Sequence, residues 1–582
     1  MSSVTTTNDN ALFDGVDPVT FEVVRSGLYA ICEEMKSSIM RASFSPLLSL
    51  SADLSCALLD VHGQVVAQGN DIPVHLGAMP HSARGILTRY PAETWQRGDA
   101  VLNNDPYSGG SHLPDMTLLT GIFADNQLIG FAASRVHWPD VGGATPGSSS
   151  VTDEIIKEGL RLPPIKIIKA GVVDDELWSV LFANVRVPLD RIGDFKAQIA
   201  GNTRGVERAE SLAERYGALT LVKILGATQT YSHRLIEATL AKLPDGIYSA
   251  TRHLDGDGFV EDCGDGALRI HVTIEKTGTA LHCDFTGTAS QARGPMNAPL
   301  SVTTSACNYV LLALAGGEVQ PNSGAYRPLR VTAPEGTLVN PRYPAPVVAG
   351  NTEMSNRLVD LLLEALAPAA PELAIGASYG CAGVWAIGGV DPIRDRRFVH
   401  LETTGGGMGA SSGGAGLDGH RVHMGNTMNL PIEAVEAALP IRIDAYELID
   451  GSGGKGLDDG GMGVRRSVLV LVDDVQFSLL FERALHPAPG AAGGSDGRTA
   501  RFLIHHVDGS NTPLGSKTLA GHLKAGDKLI METAGGGGWG KGDTRRTNSS
   551  ALSTHPADHV KQSPPDQASR THSKASDQVT PE

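Results

Sequence analysis

In the stretch NNDPYSGGSHLPDMTL, residues 103–118, a histidine and an aspartate stand three residues apart behind a double glycine, and a second histidine, His137, closes the apolar run LIGFAASRVH. Imidazole and carboxylate are the donors of a catalytic divalent metal site, and two histidines with one carboxylate leave coordination positions open for water or substrate. His112, Asp115 and His137 are therefore candidate ligands for Zn, Mn or Fe. Asp53 and, after it, His75 are candidates for a fourth ligand or for an outer group that orients the others. An HxxD pattern alone arises often by chance and is better explained by a capped loop and strand; only with His137 at the matching end of the hairpin does the metal reading draw level with a hydrogen-bonded core histidine. The metal reading depends on whether the chain brings His137 back to Asp115.

The flanking sequence supplies the means. Residues 115–123, DMTLLTGIF, and 128–137 read as two strands joined by the polar turn ADNQ. If Phe123 pairs with Leu128 or its neighbour, antiparallel register sets Asp115 opposite Val136 or His137 at the open end of the hairpin. Directly opposed Cβ atoms are about 5 Å apart. His112 lies in the loop entering the first strand, so all three groups can converge. A second hairpin, DLSCALLDVHGQVVAQG, turning at His62-Gly63, sets Asp53 at the start of a strand.

Around these elements the pattern is mixed α+β and multidomain, with glycine-rich loops between short strands. Asp17-Pro18 reads as an N-cap and first turn, followed at helical spacing by Phe21, Val24, Leu28, Ile31, Met35 and Ile39. Helical stretches recur between residues 189 and 240, alternation dominates residues 245–288, and a helix is expected at residues 355–366. The expected organisation is a flexible N-terminus (1–16), a metal-bearing α+β region (17–240), a central β-rich and mixed region (241–390), a glycine-rich β region (391–543) and a disordered tail (544–582). No fixed-period repeat marks a solenoid or propeller.

The bulk numbers narrow the function classes. The chain of 582 residues is enough for about three or four domains. Its net charge of -16 gives no electrostatic reason to bind nucleic acid or an anionic membrane. The N-terminus has no signal-peptide pattern and no run is long and apolar enough to span a bilayer, which leads to the expectation of a cytoplasmic protein. The 6 cysteines lack CxxC spacing and are expected to be small buried side chains rather than a disulfide or zinc framework. Glycine is abundant, 69 residues or about 12% against a usual share of about 7%.

Two further motifs fail on context. GASYG, residues 376–380, fits the nucleophile-elbow spelling around Ser378 but has only half of the required strand and helix. GSGGKG, residues 451–456, lacks the upstream glycine and the hydroxyl residue of a P-loop and reads as turns. A nucleotide site, if one serves this chain, belongs on another chain.

Together DPVTFEVVRSGL, SADLSCALLD, VLNNDPYSGGSHLPDMTL, HWPDVGG, FANVRVPLDRIGDFKAQIAG, CDFTGTASQARGPMN, PAPVVAGNTEMSNR, ETTGGGMGA and AGGGGWG resemble the hydantoinase B/oxoprolinase family from about residue 17 to 543. The family comprises the B-type components of ATP-dependent hydantoinases and lactamases, half of 5-oxoprolinase, and components of acetone and acetophenone carboxylases. The resemblance implies a divalent metal held at His112, Asp115 and His137, with Asp53 as an addition. It implies a hydantoinase A-type partner that carries ATP and Mg, assembled as a hetero-oligomer with two or more copies of each chain. A small cyclic amide is the implied substrate. Bicarbonate and a ketone are the co-substrates of the carboxylase alternative, and a non-catalytic scaffold is a third reading. Trp138 and Pro139 stand where the family often has histidine and alanine, so the neighbouring pocket wall is expected to differ.

Overall fold

The computed structural model describes residues 15–259 and 268–542. Its first helix, Pro18–Ala42, begins where Asp17 accepts a hydrogen bond from Thr20 N, and it buries Phe21, Val24, Leu28, Ile31, Met35 and Ile39 as the spacing requires. Each such side chain contributes roughly 1.5–3 kcal/mol. No helix of the described residues is long and apolar enough to cross a membrane.

A seven-stranded antiparallel sheet carries the site. Its strands are β1 (Leu54–Leu59), β2 (Val65–Gln68), β3 (Ala100–Asn103), β4 (Asp115–Ala124), β5 (Gln127–His137), β6 (Ile165–Lys169) and β7 (Val172–Val173). They run in the order β2-β1-β5-β4-β3-β6-β7. Side chains alternate across it. Met116 and Leu118 face the core shared with the helices Pro18–Ala42 and Pro188–Tyr216, while Leu119, Phe131 and Ala133 face the helix His75–Arg89. Gln198 and Asn202, buried on Pro188–Tyr216, donate to Met116 O and Leu118 O and lock that helix over the first face.

A second sheet follows, β11-β10-β9-β8, built from β8 (Gly246–His253), β9 (Arg269–Thr277), β10 (Ala280–Asp284) and β11 (Leu329–Thr332). The helices Leu300–Leu314 and Ser355–Leu366 bury their apolar residues in the same core as its strands. Beyond them lie β12 (Val384–Asp391), β13 (Arg396–Thr403), β14 (Ile441–Leu448), β15 (Val464–Val470), β16 (Val475–Leu480), β17 (Arg501–His505), β18 (Asn511–Leu514), β19 (Lys517–Leu523) and β20 (Lys528–Glu532). They form two further sheets, β13-β12-β16-β19 and β14-β15-β20-β17-β18. The mixed α+β organisation expected from the pattern is present. β12 crosses residue 390, and one core cluster joins Leu47, Ile72, Ile270, Leu358 and Leu480, so the successive sheets share buried side chains. Cys32, Cys56, Cys283, Cys307 and Cys381 are buried and free. Cys263, the tail from residue 544 and all but the last two residues of the expected flexible N-terminus lie outside the described residues; Val16 is buried.

The glycine runs form a stack of loops bonded backbone to backbone. Gly407 N donates to Ala534 O, Ala410 N to Gly537 O, Gly454 N to Gly536 O and Gly461 N to Met408 O. Contact this close excludes side chains: a Cβ on Gly409 would fall on Gly376 O, and one on Gly535 on Ser452 O. Ser378 lies in the stack, buried, with its hydroxyl donating to Asp360, so it is a structural hydroxyl and not an elbow nucleophile. Lys455 of GSGGKG is spent on Asp459 at 2.8 Å.

Glu158 ties the first region to the second. Its Oε1 accepts Val347 N at 2.8 Å and Val348 N at 2.9 Å, and burial pushes its carboxyl up to about 8. A carboxyl raised on folding contributes stability that is complete below its unfolded value and is lost as pH rises through the folded one.

Two outcomes follow. Gly535→Ala lowers stability by about 1–3 kcal/mol or more, whereas Gly413→Ala, with Ser411 Oγ at 3.6 Å as its nearest atom, leaves the thermal midpoint within a degree or two. Glu158→Gln, which keeps the accepting oxygen, flattens the fall in melting temperature that the wild-type chain shows between pH 5 and 8.5; an unchanged slope refutes the role given to Glu158.

Candidate metal centre

The register is decided by one irregularity. Phe123 does pair with Leu128, which by simple counting sets Asp115 against Val136, but a bulge between Ile122 and Phe123 shifts the pairing and Asp115 faces His137. On the other side of β5, Leu54 faces Val136, so Asp53 lies opposite His137, whose N–H donates to Asp53 O at 3.1 Å. Asp53, His137 and Asp115 thus form a row across the ends of three neighbouring strands. The loop before β4 brings in His112, where Asp115 N donates to His112 O at 3.1 Å. The turn expected at ADNQ has Asp125 and Asn126 at positive φ, as the tightest hairpins need.

One ligand atom from each of His112, Asp115 and His137 lies within 4.8 Å of the other two, and all three residues are buried. His112 Nε2 is 3.1 Å from Asp115 Oδ1, and the two imidazole rings are 5.1 Å apart. His112 Nδ1 and His137 Nδ1 are buried with no hydrogen-bond partner among the described residues, and Asp115 Oδ1 is buried against His112 Nε2. Buried polar atoms are nearly always satisfied, and two orphaned imidazole nitrogens beside a buried carboxylate fit a divalent cation. The Asp53 carboxyl does not join the cluster; it lines the adjoining cavity.

The electrostatics agree with a cation site. Burial pushes His137 down to about 3, helped by His112, so its ring is neutral, the form that binds metal. Burial also lowers His75, against the pull of Asp115. For Asp115 burial acts upward, but His112 and His75 outweigh it and hold the carboxyl well below its usual range. Asp53 is raised to about 8 by burial and by Asp115.

Supporting groups fix these side chains. His75, at the start of His75–Arg89, bonds Ser55 Oγ through Nδ1 at 2.7 Å and approaches Asp115 Oδ2 with Nε2 at 3.3 Å. Ser111 Oγ donates to Asp115 Oδ2 over a short contact. Arg135, wholly buried, donates to Thr117 Oγ1, Ser82 Oγ and Ala78 O. Asn351 Nδ2 lies 3.2 Å from His112 Nε2, presented by a π-helical turn, Gly350–Met354. Such turns recur at functional sites. Sequence patterns single out neither Asn351 nor Arg421. The only signal for Asn351 is its position in PAPVVAGNTEMSNR, and Arg421 has none.

Trp138 corrects one expectation. It is not part of the cavity wall: its indole is fully buried in the core behind the sheet, stacked on Phe182 at 5.8 Å and edge-on to Phe195 at 5.9 Å. The cavity, about 50 Å³, is instead closed by Asp53, Asn351, Arg421, Val384, Val422 and Met424.

Comparison with known proteins gives a consistent picture. The family model described as hydantoinase B/oxoprolinase matches residues 17–542. The B component of a putative D-/L-hydantoinase from Pseudomonas sp. (strain NS671) is 33% identical over 538 residues, which cover 90% of this chain and 90% of that protein. The 5-oxoprolinase 1 of Arabidopsis thaliana is also 33% identical, over 90% of this chain but 42% of its own length. Among solved structures, the ATP-dependent caprolactamase from Pseudomonas jessenii superposes with a TM-score of 0.83 at 28% identity, covering 90% of this chain and 91% of that one.

The metal-free chain, dialysed against Zn²⁺ or Mn²⁺, is expected to retain about one ion. His137→Ala weakens retention by on the order of 100-fold or more with an unchanged far-ultraviolet dichroism spectrum. Equal retention by the variant rules the cluster out as the site.

Proposed function

The chain belongs to the hydantoinase B/oxoprolinase family, and from that premise we propose that it is the B-type, metal-bearing component of a cytoplasmic ATP-dependent hydrolase that opens a small cyclic amide. The observation that carries the reading is the buried His112, Asp115 and His137 cluster on the wall of a small, largely apolar cavity. A structural metal site is closed by its ligands, whereas three protein donors beside a small cavity suit catalysis.

His112, Asp115 and His137 would hold the ion, with Zn or Mn the best matches to two imidazoles and a carboxylate. Bound there, a divalent metal supplies Lewis-acid polarisation of a carbonyl or activation of a water. Asp53, which lines the cavity beside the cluster, would complete the ion's shell or orient a water there. Val384, Val422 and Met424 keep bulk water from the ring.

An amide C–N bond is resonance-stabilised and its unstrained ring opens with little driving force, so coupling to ATP is chemically sensible. Phosphorylation of the amide oxygen makes the carbon a better electrophile. ATP and Mg²⁺ belong on a hydantoinase A-type partner, in agreement with a GSGGKG segment that is occupied with its own turns. A single long chain such as the plant 5-oxoprolinase, of which this chain spans 42%, has length for both functions. Hydantoin, 5-oxoproline and caprolactam are the substrate classes to offer.

Co-expressed with its ATP-binding partner, the chain is expected to open at least one of these rings in an ATP-dependent reaction. His112→Ala lowers turnover by about a thousand-fold or more while the complex still assembles. Carboxylation of acetone or acetophenone with bicarbonate, in place of ring opening, transfers the cluster to enolate chemistry, and full activity in His112→Ala refutes the metal-dependent mechanism.

A further inference from the structure

Arg421 lines the cavity with its guanidinium bonded to uncharged oxygens. The buried guanidinium groups of Arg466, Arg483 and Arg191 each meet a carboxylate, Glu402 at 2.9 Å, Asp360 at 2.7 Å and Asp194 at 3.0 Å. Arg421 spends its charge on neutral oxygens: Nε donates to Thr427 O at 2.9 Å, and Nη2 to Thr403 O at 2.6 Å and Asn429 Oδ1 at 3.1 Å. Among the described residues no ion pair within 4.0 Å reaches it. It pulls on the carboxyls of Asp53 and Glu402 only from beyond that distance. Its remaining nitrogen, Nη1, is buried and has no hydrogen-bond partner.

A buried, unsatisfied cationic donor is costly; Arg191, Arg252, Arg357 and Arg466 also leave one nitrogen unbonded, but each of them has a carboxylate within 4.0 Å. In Arg421 three bonds fix the plane of the guanidinium, so Nη1 does not relax towards another acceptor. The side chain lines the same cavity as Asp115 and His137, together with Asp53, Asn351 and the apolar Val384, Val422 and Met424. Arginine in such a setting is suited to carboxylate and phosphoryl oxygens.

We propose that Arg421 Nη1 binds an oxyanion of the small ligand that occupies this cavity, either the ligand's own carboxylate or a phosphoryl oxygen attached to it on activation. The identity of that ligand as substrate rests on the functional reading above; the anion site rests on the geometry of Arg421 alone.

Isothermal titration of the full chain, metal-free and loaded with Zn²⁺ or Mn²⁺, tests this with 5-oxoproline, inorganic phosphate and 2-pyrrolidinone, the last being the same ring without a carboxylate. Arg421→Gln is expected to weaken binding of at least one anion ten-fold or more and to leave 2-pyrrolidinone unchanged. Arg421→Lys falls between, because it keeps the charge and loses the fork. A loss confined to 5-oxoproline identifies a carboxylate, and one confined to phosphate identifies a phosphoryl group. Wild-type chain that binds neither anion, Arg421→Gln that binds both normally, or an equal loss for 2-pyrrolidinone each overturns the proposal. Should Arg421→Gln fail to fold, crystals of the wild-type chain grown with each anion decide: an oxyanion within hydrogen-bond reach of Nη1 supports the site, and none there refutes it. No turnover enters this test, so a failed ring-opening assay and a failed anion site are told apart.

Discussion

Three strands end level with one another, and the polar row Asp53, His137 and Asp115 exists because they do. In an antiparallel pair a slip of one residue turns a side chain to the opposite face. Asp115 would then point at the helix Pro188–Tyr216, into a core of Met116 and Leu118, where a carboxylate has no partner. Correct register is thus enforced from both faces, each of which buries its own apolar set, with the polar row confined to the strand ends. The bulge at Ile122 and Phe123 is the adjustment that seats Asp115 against His137.

Concentrating imidazoles and carboxylates in a dry space is unfavourable unless each is held by something else. The fold meets this with neutral and cationic groups placed behind the donors. Ser111, Ser55, Asn351 and Arg135 occupy positions on four different segments, and each depends on a different piece of packing. Glu158 and the Gly77–Ser305 hydrogen bond at 2.9 Å fasten the second region to the first. The stacked glycine loops do comparable work farther along the chain, since sheets separated by loops without side chains can approach closely enough for Tyr379 and Arg421 to reach the cavity wall.

How far the site can be read in advance follows from the range of the interactions involved. The helix from Pro18, the hairpin and the cluster of His112, Asp115 and His137 are local or nearly so, and periodicity with antiparallel counting reaches them. Counting leaves Val136 and His137 as alternatives for the position opposite Asp115, because a bulge leaves no mark in composition. Trp138 is misplaced for a related reason: one residue beyond a strand end, nothing in the sequence says which side of the sheet the side chain takes. Asn351 and Arg421 stand 239 and about 300 residues from His112, and only tertiary packing brings them near it.

The ligand cluster and much of the cavity wall come from different stretches of chain: residues 112–137 hold the donors, while Arg421, Val422, Met424 and Thr427 close the space from a loop that shares no strand with them. Donor cluster and cavity wall are therefore separately mutable. Substitutions confined to residues 421–427 can reshape the cavity wall while the donor residues His112, Asp115 and His137 and the groups bonded to them stay in place. A scaffold partitioned in this way lets the shape of the cavity vary without any change to the donor cluster.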